Sequence, residues 1–211
     1  MRRYLQGHAT FRREYAAGAS QFLRKLASEH QSPGALYIGC SDSRVVPELL
    51  TTSAPGELFV VRNIANAVPP LRDADASVGA ALDYAVEVLK VEHVVVCGHY
   101  GCGGVKAVLD GHDRLSKLPS LHEWLDHLSP AILAAKNPLL DLTEQWRTAV
   151  EANVVQQLAN LTTFDAVRAH LDAGTLELHG WVYDLETGGV SVYDALGERF
   201  LDAAHALDES G

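Results

Sequence analysis

Short runs of almost purely apolar residues, set between helix-length segments, dictate the architecture available to this chain. Residues 35–40 (Ala-Leu-Tyr-Ile-Gly-Cys), 58–61 (Leu-Phe-Val-Val) and 93–97 (His-Val-Val-Val-Cys) are too short for buried helices. They also lack the in–out alternation of a strand with one wet face. Such runs belong to strands covered on both sides, as in a parallel sheet clothed by helices. Helical periodicity fills the intervals: residues 4–30, with Gly18 placed to divide them, then 45–50, 77–90, 103–110, 119–128, 141–160 and 163–172. Two later strands, 176–182 and 190–193, flank a turn at Thr187, Gly188 and Gly189. The expected fold is α/β, with a mostly parallel central β-sheet flanked by α-helices. Residues 1–30 read as an N-terminal helical arm, and 197–211 as a loose tail or a segment packed on another subunit.

A length of 211 residues fits one domain over 1–211, large enough for a core without disulfides. The net charge of −10 excludes a nucleic-acid binder, which needs a basic surface. Residues 1–25 include Arg12, Arg13 and Glu14 and resemble no targeting segment. Nothing approaches the roughly 20 apolar residues of a membrane span, so a cytoplasmic location is expected. The three cysteines, Cys40, Cys97 and Cys102, are too few and odd in number for a disulfide framework. In a reducing compartment thiols serve as ligands, nucleophiles or core residues.

In a parallel sheet, ligands bind beyond the carboxyl ends of the strands. The first strand ends in Cys40, Ser41, Asp42, Ser43 and Arg44; the third ends at Gly98 and leads into His99, Tyr100, Gly101 and Cys102. Cys40, His99 and Cys102 therefore meet at one sheet edge, where neighbouring strands lie about 4.8 Å apart. Two thiolates and an imidazole suit zinc. A catalytic zinc keeps one position open, and Asp42 is the nearest residue that would close it. Two arrangements follow: Asp42 held by Arg44 with water as fourth ligand, or Asp42 on the metal. Cys97 reads as core. The glycines at 101, 103 and 104 lack the lysine-bearing phosphate-loop pattern, and Cys97 with Cys102 makes no dithiol pair.

These motifs resemble the β-class carbonic anhydrases: Cys40-Ser41-Asp42-Ser43-Arg44, then residues 55–63 (Pro-Gly-Glu-Leu-Phe-Val-Val-Arg-Asn), then His99-x-x-Cys102-Gly103-Gly104. The likeness extends to residues 178–184 (Leu-His-Gly-Trp-Val-Tyr-Asp) and is greatest to bacterial cyanate-operon enzymes with a plant-type active site. It implies reversible hydration of carbon dioxide to bicarbonate and a proton by zinc-bound hydroxide, with one Zn2+ per subunit and an Asp42–Arg44 dyad beside it. It further implies a homo-oligomer, a dimer or a tetramer, with N-terminal helices reaching onto a neighbour and the pocket at the dimer interface. Gln31, Phe59 and Tyr84 match that pocket's residues, and the Gly103 N–H would join Gln31 in binding a carbon dioxide or bicarbonate oxygen. A second group of the family has a regulatory bicarbonate site with a tryptophan where this chain has Tyr37; Arg62 and Tyr183 are present, but that tryptophan is absent. Two other readings compete, a structural zinc fold with Asp42 as permanent ligand and a zinc hydrolase for larger carbonyl substrates. Of the ten histidines, His179 reads as satisfying a core hydrogen bond, His93 and His122 carry no readable role, and none is assigned as a proton shuttle.

Overall fold

A computed structural model of the chain describes residues 1–204, apart from the side chains of His112 and Arg114. It forms two compact units, residues 1–32 and residues 33–211. In the first, α1 (Arg2–Phe11) runs into wider π-helical turns over Arg12–Ala16, and a turn containing Gly18 separates these from α2 (Ser20–Ser28). No residue of these helices is buried. Tyr4, Leu5, Phe11 and Tyr15 are exposed, and Phe11 stacks on Tyr15 with ring centroids 5.2 Å apart.

The second unit is built on a six-stranded sheet: β1 (Ala35–Cys40), β2 (Leu58–Asn63), β3 (His93–His99), β4 (Glu177–Tyr183), β5 (Val190–Asp194) and β6 (Arg199–Asp202). The spatial order is β2-β1-β3-β4-β5-β6. The pairs β2–β1, β1–β3 and β3–β4 are parallel, and the last two pairings are antiparallel. The third apolar run extends two residues further than expected, so His99 is the last residue of its strand. Residues 199–202 pair with β5 rather than forming the expected loose tail, and 205–211 lie outside the described residues. Phe200 there meets Tyr193 of β5, ring centroids 5.2 Å apart. Cross-strand burial of two aromatics orders a segment that looks polar by composition.

Between the strands lie α3 (Pro47–Thr51), α4 (Ala76–Asp83, followed by π-turns over Tyr84–Val88), α5 (Gly103–Leu109), α6 (Pro119–Asp126), α7 (Ser129–Ala134), α8 (Leu142–Leu161) and α9 (Asp165–Asp172). The helix expected over 119–128 is α6, and a further helix, α7, follows it where none was expected. Local chemistry starts them: Pro47 and Pro119 open α3 and α6, where the missing N–H costs nothing. Asp141 and Glu144 form a reciprocal capping box on α8.

Strand alternation splits the sheet's two faces. Leu36, Ile38, Val94, Val96 and Val182 pack with Val150, Val154 and Leu161 of α8 in the main core. Tyr37, Val95 and Cys97 face the other way, packed with Leu50 of α3, Val60, Trp181 and Tyr183. Helix α8 crosses the strands at two glycines. A Cβ on Gly98 would stand 2.7 Å from Val154 Cγ2, and one on Gly180 2.9 Å from Leu158 Cδ1. Overpacking of this kind costs about 1–3 kcal/mol. Gly180→Ala is therefore expected to lower the thermal midpoint by several degrees, read by circular dichroism, without moving any site residue.

Candidate metal centre

Strand order explains why the site lies where it does. From β1 the chain crosses to β2 on one side and returns through β3 on the other, so the connections leaving β1 and β3 diverge. Such a switch point leaves a crevice beyond the strand ends. Cys40 ends β1 and His99 ends β3. Cys102 follows three residues later at the start of α5, beyond a turn in which Gly101 takes a φ of 77°, open to glycine without strain.

The ligand atoms of Cys40, His99 and Cys102 all lie within 4.8 Å of one another, and all three residues are buried. The two sulfurs are 4.0 Å apart. That is about twice a disulfide bond, and close to the roughly 3.8 Å across a tetrahedral zinc with 2.3 Å Zn–S bonds. His99 is fully buried, and its Nδ1–H donates to the Tyr100 carbonyl at 3.0 Å. This fixes the tautomer and leaves Nε2 with a lone pair. Nε2 is buried without a hydrogen-bond partner, a condition that costs about 1–3 kcal/mol unless a ligand relieves it. An orphaned imidazole nitrogen facing two thiols, with its other nitrogen oriented by a carbonyl, fits a zinc centre.

Both sulfurs sit among donors. The Asp42 N–H points at Cys40 Sγ at 3.4 Å, and the Ala65 N–H reaches the same sulfur. The N–H groups of Gly104 and Val105 reach Cys102. The Cys102 thiol, donating to Cys40, draws the Cys40 pKa down, while the same bond and burial hold the proton on Cys102. A divalent cation would expel that proton, making metal capture weaker as pH falls. Cys97 takes no part. It is fully buried, its thiol donates to the Gly98 carbonyl at 3.4 Å, and burial pushes its pKa up to about 12.

Asp42 lies beside the centre with Oδ2 3.9 Å from His99 Nε2. Its carboxylate is gripped by Arg44: Nε donates to Oδ1 at 2.9 Å, NH2 to Oδ2 at 2.7 Å, and the Arg44 backbone N–H to Oδ1 at 3.0 Å. Arg44 thus holds the Asp42 carboxyl well below the ordinary carboxylate range. Arg62 steadies the segment by donating to the carbonyls of Cys40 (2.9 Å) and Asp42 (2.6 Å).

A second layer was not legible in the sequence. Ala65 and Asn66 adopt positive φ, 59° and 50°, a conformation that costs an alanine roughly 1–2 kcal/mol. Helix α8 holds them there: Asn153 donates to the Ala65 carbonyl (3.0 Å), Gln157 donates to Asn153 Oδ1 (2.9 Å) and accepts from the Val68 N–H (2.8 Å). Asn160 donates to the Val68 carbonyl at 2.8 Å. This ladder fixes the strained turn that aims the Ala65 N–H at Cys40. Trp146 secures the other cysteine, its indole N–H donating to the Cys102 carbonyl at 3.0 Å. Three amides three or four residues apart on one long helix were the available signal.

Of the remaining expected residues, Gly103 adjoins the centre, whereas Phe59 lies apart from it. Phe59 and Tyr84 pair with ring centroids 5.8 Å apart. Phe59 lies opposite Leu36, however, four residues before the end of β1, or about 13 Å below Cys40. Gln31 is exposed in the non-helical run after α2, within the first unit. Gly103 is exposed as the first residue of α5, next to Cys102. Among the described residues no helix is long and apolar enough to cross a membrane.

The sequence pattern of the carbonic anhydrase family matches residues 35–190. The chain is similar to a carbonic anhydrase of Pseudomonas aeruginosa, with 43% identity over 206 residues covering 97% of this chain and 92% of that protein. Its structure is similar to that of the β-carbonic anhydrase CcaA, with a TM-score of 0.91, 37% identity, and coverage of 96% and 98% of the two chains. It is also similar to a tetrameric β-carbonic anhydrase from Sordaria macrospora, with a TM-score of 0.81, 32% identity, and coverage of 90% and 95%.

Proposed function

Since the chain belongs to the β-class carbonic anhydrases, enzymes that hydrate carbon dioxide, we propose that Cys40, His99 and Cys102 hold one zinc ion per subunit, with Asp42 and Arg44 as the dyad beside it. The observation that carries this reading is the buried, unpartnered His99 Nε2 facing two thiols and a carboxylate already held elsewhere. A zinc ion there would supply a Lewis acid that acidifies water, less strongly than at an all-histidine centre because two thiolates cancel its charge.

The residues of the chain do the rest. Asp42 accepts a hydrogen bond from the attacking water and aims its lone pair at carbon. Arg44 keeps the carboxylate ionised and turned away from the metal position. Because the Asp42 pKa is depressed, its acceptor form persists as pH falls through the ordinary carboxylate range. The Gly103 N–H and Gln31 bind a carbon dioxide or bicarbonate oxygen. Phe59 and Tyr84 act in the pocket of a second copy, which accounts for their distance from Cys40 along the strand. A dimer is the smallest functional assembly, and the exposed apolar residues of α1 support the N-terminal arm as its contact. Similarity to a tetrameric relative supports a tetramer built from such dimers. Three free cysteines support a reducing, cytoplasmic setting.

Stopped-flow hydration of carbon dioxide by the zinc-loaded protein tests the reading. Turnover is expected, with kcat/KM rising as pH passes above about 7, the range of an all-histidine zinc centre. A profile already flat below that pH contradicts the charge argument. Absence of turnover at alkaline pH favours a structural zinc site closed by Asp42.

A further inference from the structure

We propose a second cation site, in which His93, Glu177 and His179 bind a divalent first-row metal ion of the zinc type at the opposite end of the sheet. His93 opens β3 and Glu177 opens β4, directly opposite each other in the parallel register. His179 follows two residues later, so the strand period brings all three side chains to one face. His93 and His99 stand six positions apart on β3, about 20 Å of strand. The cluster is thus remote from the first centre and does not depend on its assignment.

Geometry carries the proposal. His93 Nδ1 and His179 Nε2 share one proton in a 3.2 Å hydrogen bond, which a bound cation would displace. One oxygen, Glu177 Oε2, lies 3.7 Å from the first of these nitrogens and 3.6 Å from the second. Each side chain offers a single ligand atom to the cluster. A point equidistant from those three atoms lies about 2.0 Å from each, within the usual range for zinc–imidazole and zinc–carboxylate bonds. The ring-to-ring hydrogen bond accounts for one side of the triangle only, since a carboxylate oxygen at 3.6–3.7 Å bonds to neither ring. Two imidazoles and one carboxylate form a recurrent zinc ligand set that leaves a position open.

The surroundings suit capture of an ion. Burial and the neighbouring His93 lower the His179 pKa, against the pull of Glu177, which favours the neutral ring a metal requires. Side-chain exposures of 45% for His93 and 69% for Glu177 leave a route in from solvent. A bound ion would tie the starts of β3 and β4 together.

Equilibrium dialysis of the folded protein against buffered micromolar zinc, followed by metal analysis, tests this. Wild type is expected to hold one more zinc per chain than the His93→Ala/His179→Ala variant, with equal carbon dioxide hydration in both. Glu177→Ala, at an exposed position, repeats the comparison without disturbing strand packing. With cobalt, the additional equivalent should give absorption without a thiolate charge-transfer band, because no sulfur is in the set. Equal metal content in wild type and variants, or a thiolate band on the additional equivalent, overturns the proposal.

Discussion

Cys102→Ala is expected to strip the protein of its catalytic metal and to lower kcat for carbon dioxide hydration by on the order of a thousandfold or more. A Lewis-acid metal contributes several kcal/mol to its reaction, and about 4 kcal/mol corresponds to that factor. The substitution removes one small buried atom, and the Trp146 bond to the Cys102 carbonyl involves only backbone, so the fold should persist. Far-UV circular dichroism should match wild type, while the cobalt-substituted variant should lose its thiolate charge-transfer absorption. Activity within tenfold of wild type would remove Cys102 from the metal centre.

Arg44→Ala should separate the dyad from the metal. The guanidinium contributes two of the three hydrogen bonds on the Asp42 carboxylate and is the largest cause of its depressed pKa. Without it, the carboxylate, whose Oδ2 stands 3.9 Å from His99 Nε2, would be free to turn toward an ion held at that nitrogen. We expect full metal content and kcat lowered by about 10–100-fold, the scale seen when partners around a metal centre are removed. The sign of the pH effect follows: the Asp42 pKa rises toward its ordinary value, so protonation of Asp42 sets in at higher pH than in wild type. Near-normal kcat in this variant would leave Arg44 no part in the reaction. Both experiments address this chain's own residues and are independent of the second cation site.

Cys40 and His99 were legible because each closes a buried apolar strand, and Cys102 because it lies three residues beyond. The main sheet was legible for the same reason, since uninterrupted apolar runs admit little else. Ala65 was not, because an alanine forced to positive φ looks like any other alanine. The amides that hold it, on α8, pass for solvent-facing positions when a helix is judged by apolar spacing alone. Strand β6 escaped notice because its ordering comes from a cross-strand aromatic pair rather than from its own composition. Phe59 and Tyr84 were legible as residues but not as a location, since spacing alone does not tell how far below the strand end Phe59 lies. His93 and His179 carry no motif, and only the register of β3 against β4 brings them together.

The switch-point topology also bears on how the protein comes to exist. Cys40 and Cys102 stand 62 residues apart in sequence, and their strands become neighbours only when β1 and β3 pair in parallel. Parallel pairing carries its loop-closure entropy before any native contact compensates for it, so such sheets form slowly. The chain leaving the ribosome therefore offers metal no complete site until this late docking step. A zinc ion held there would act as a latch on an assembled sheet, slowing its opening more than hastening its formation.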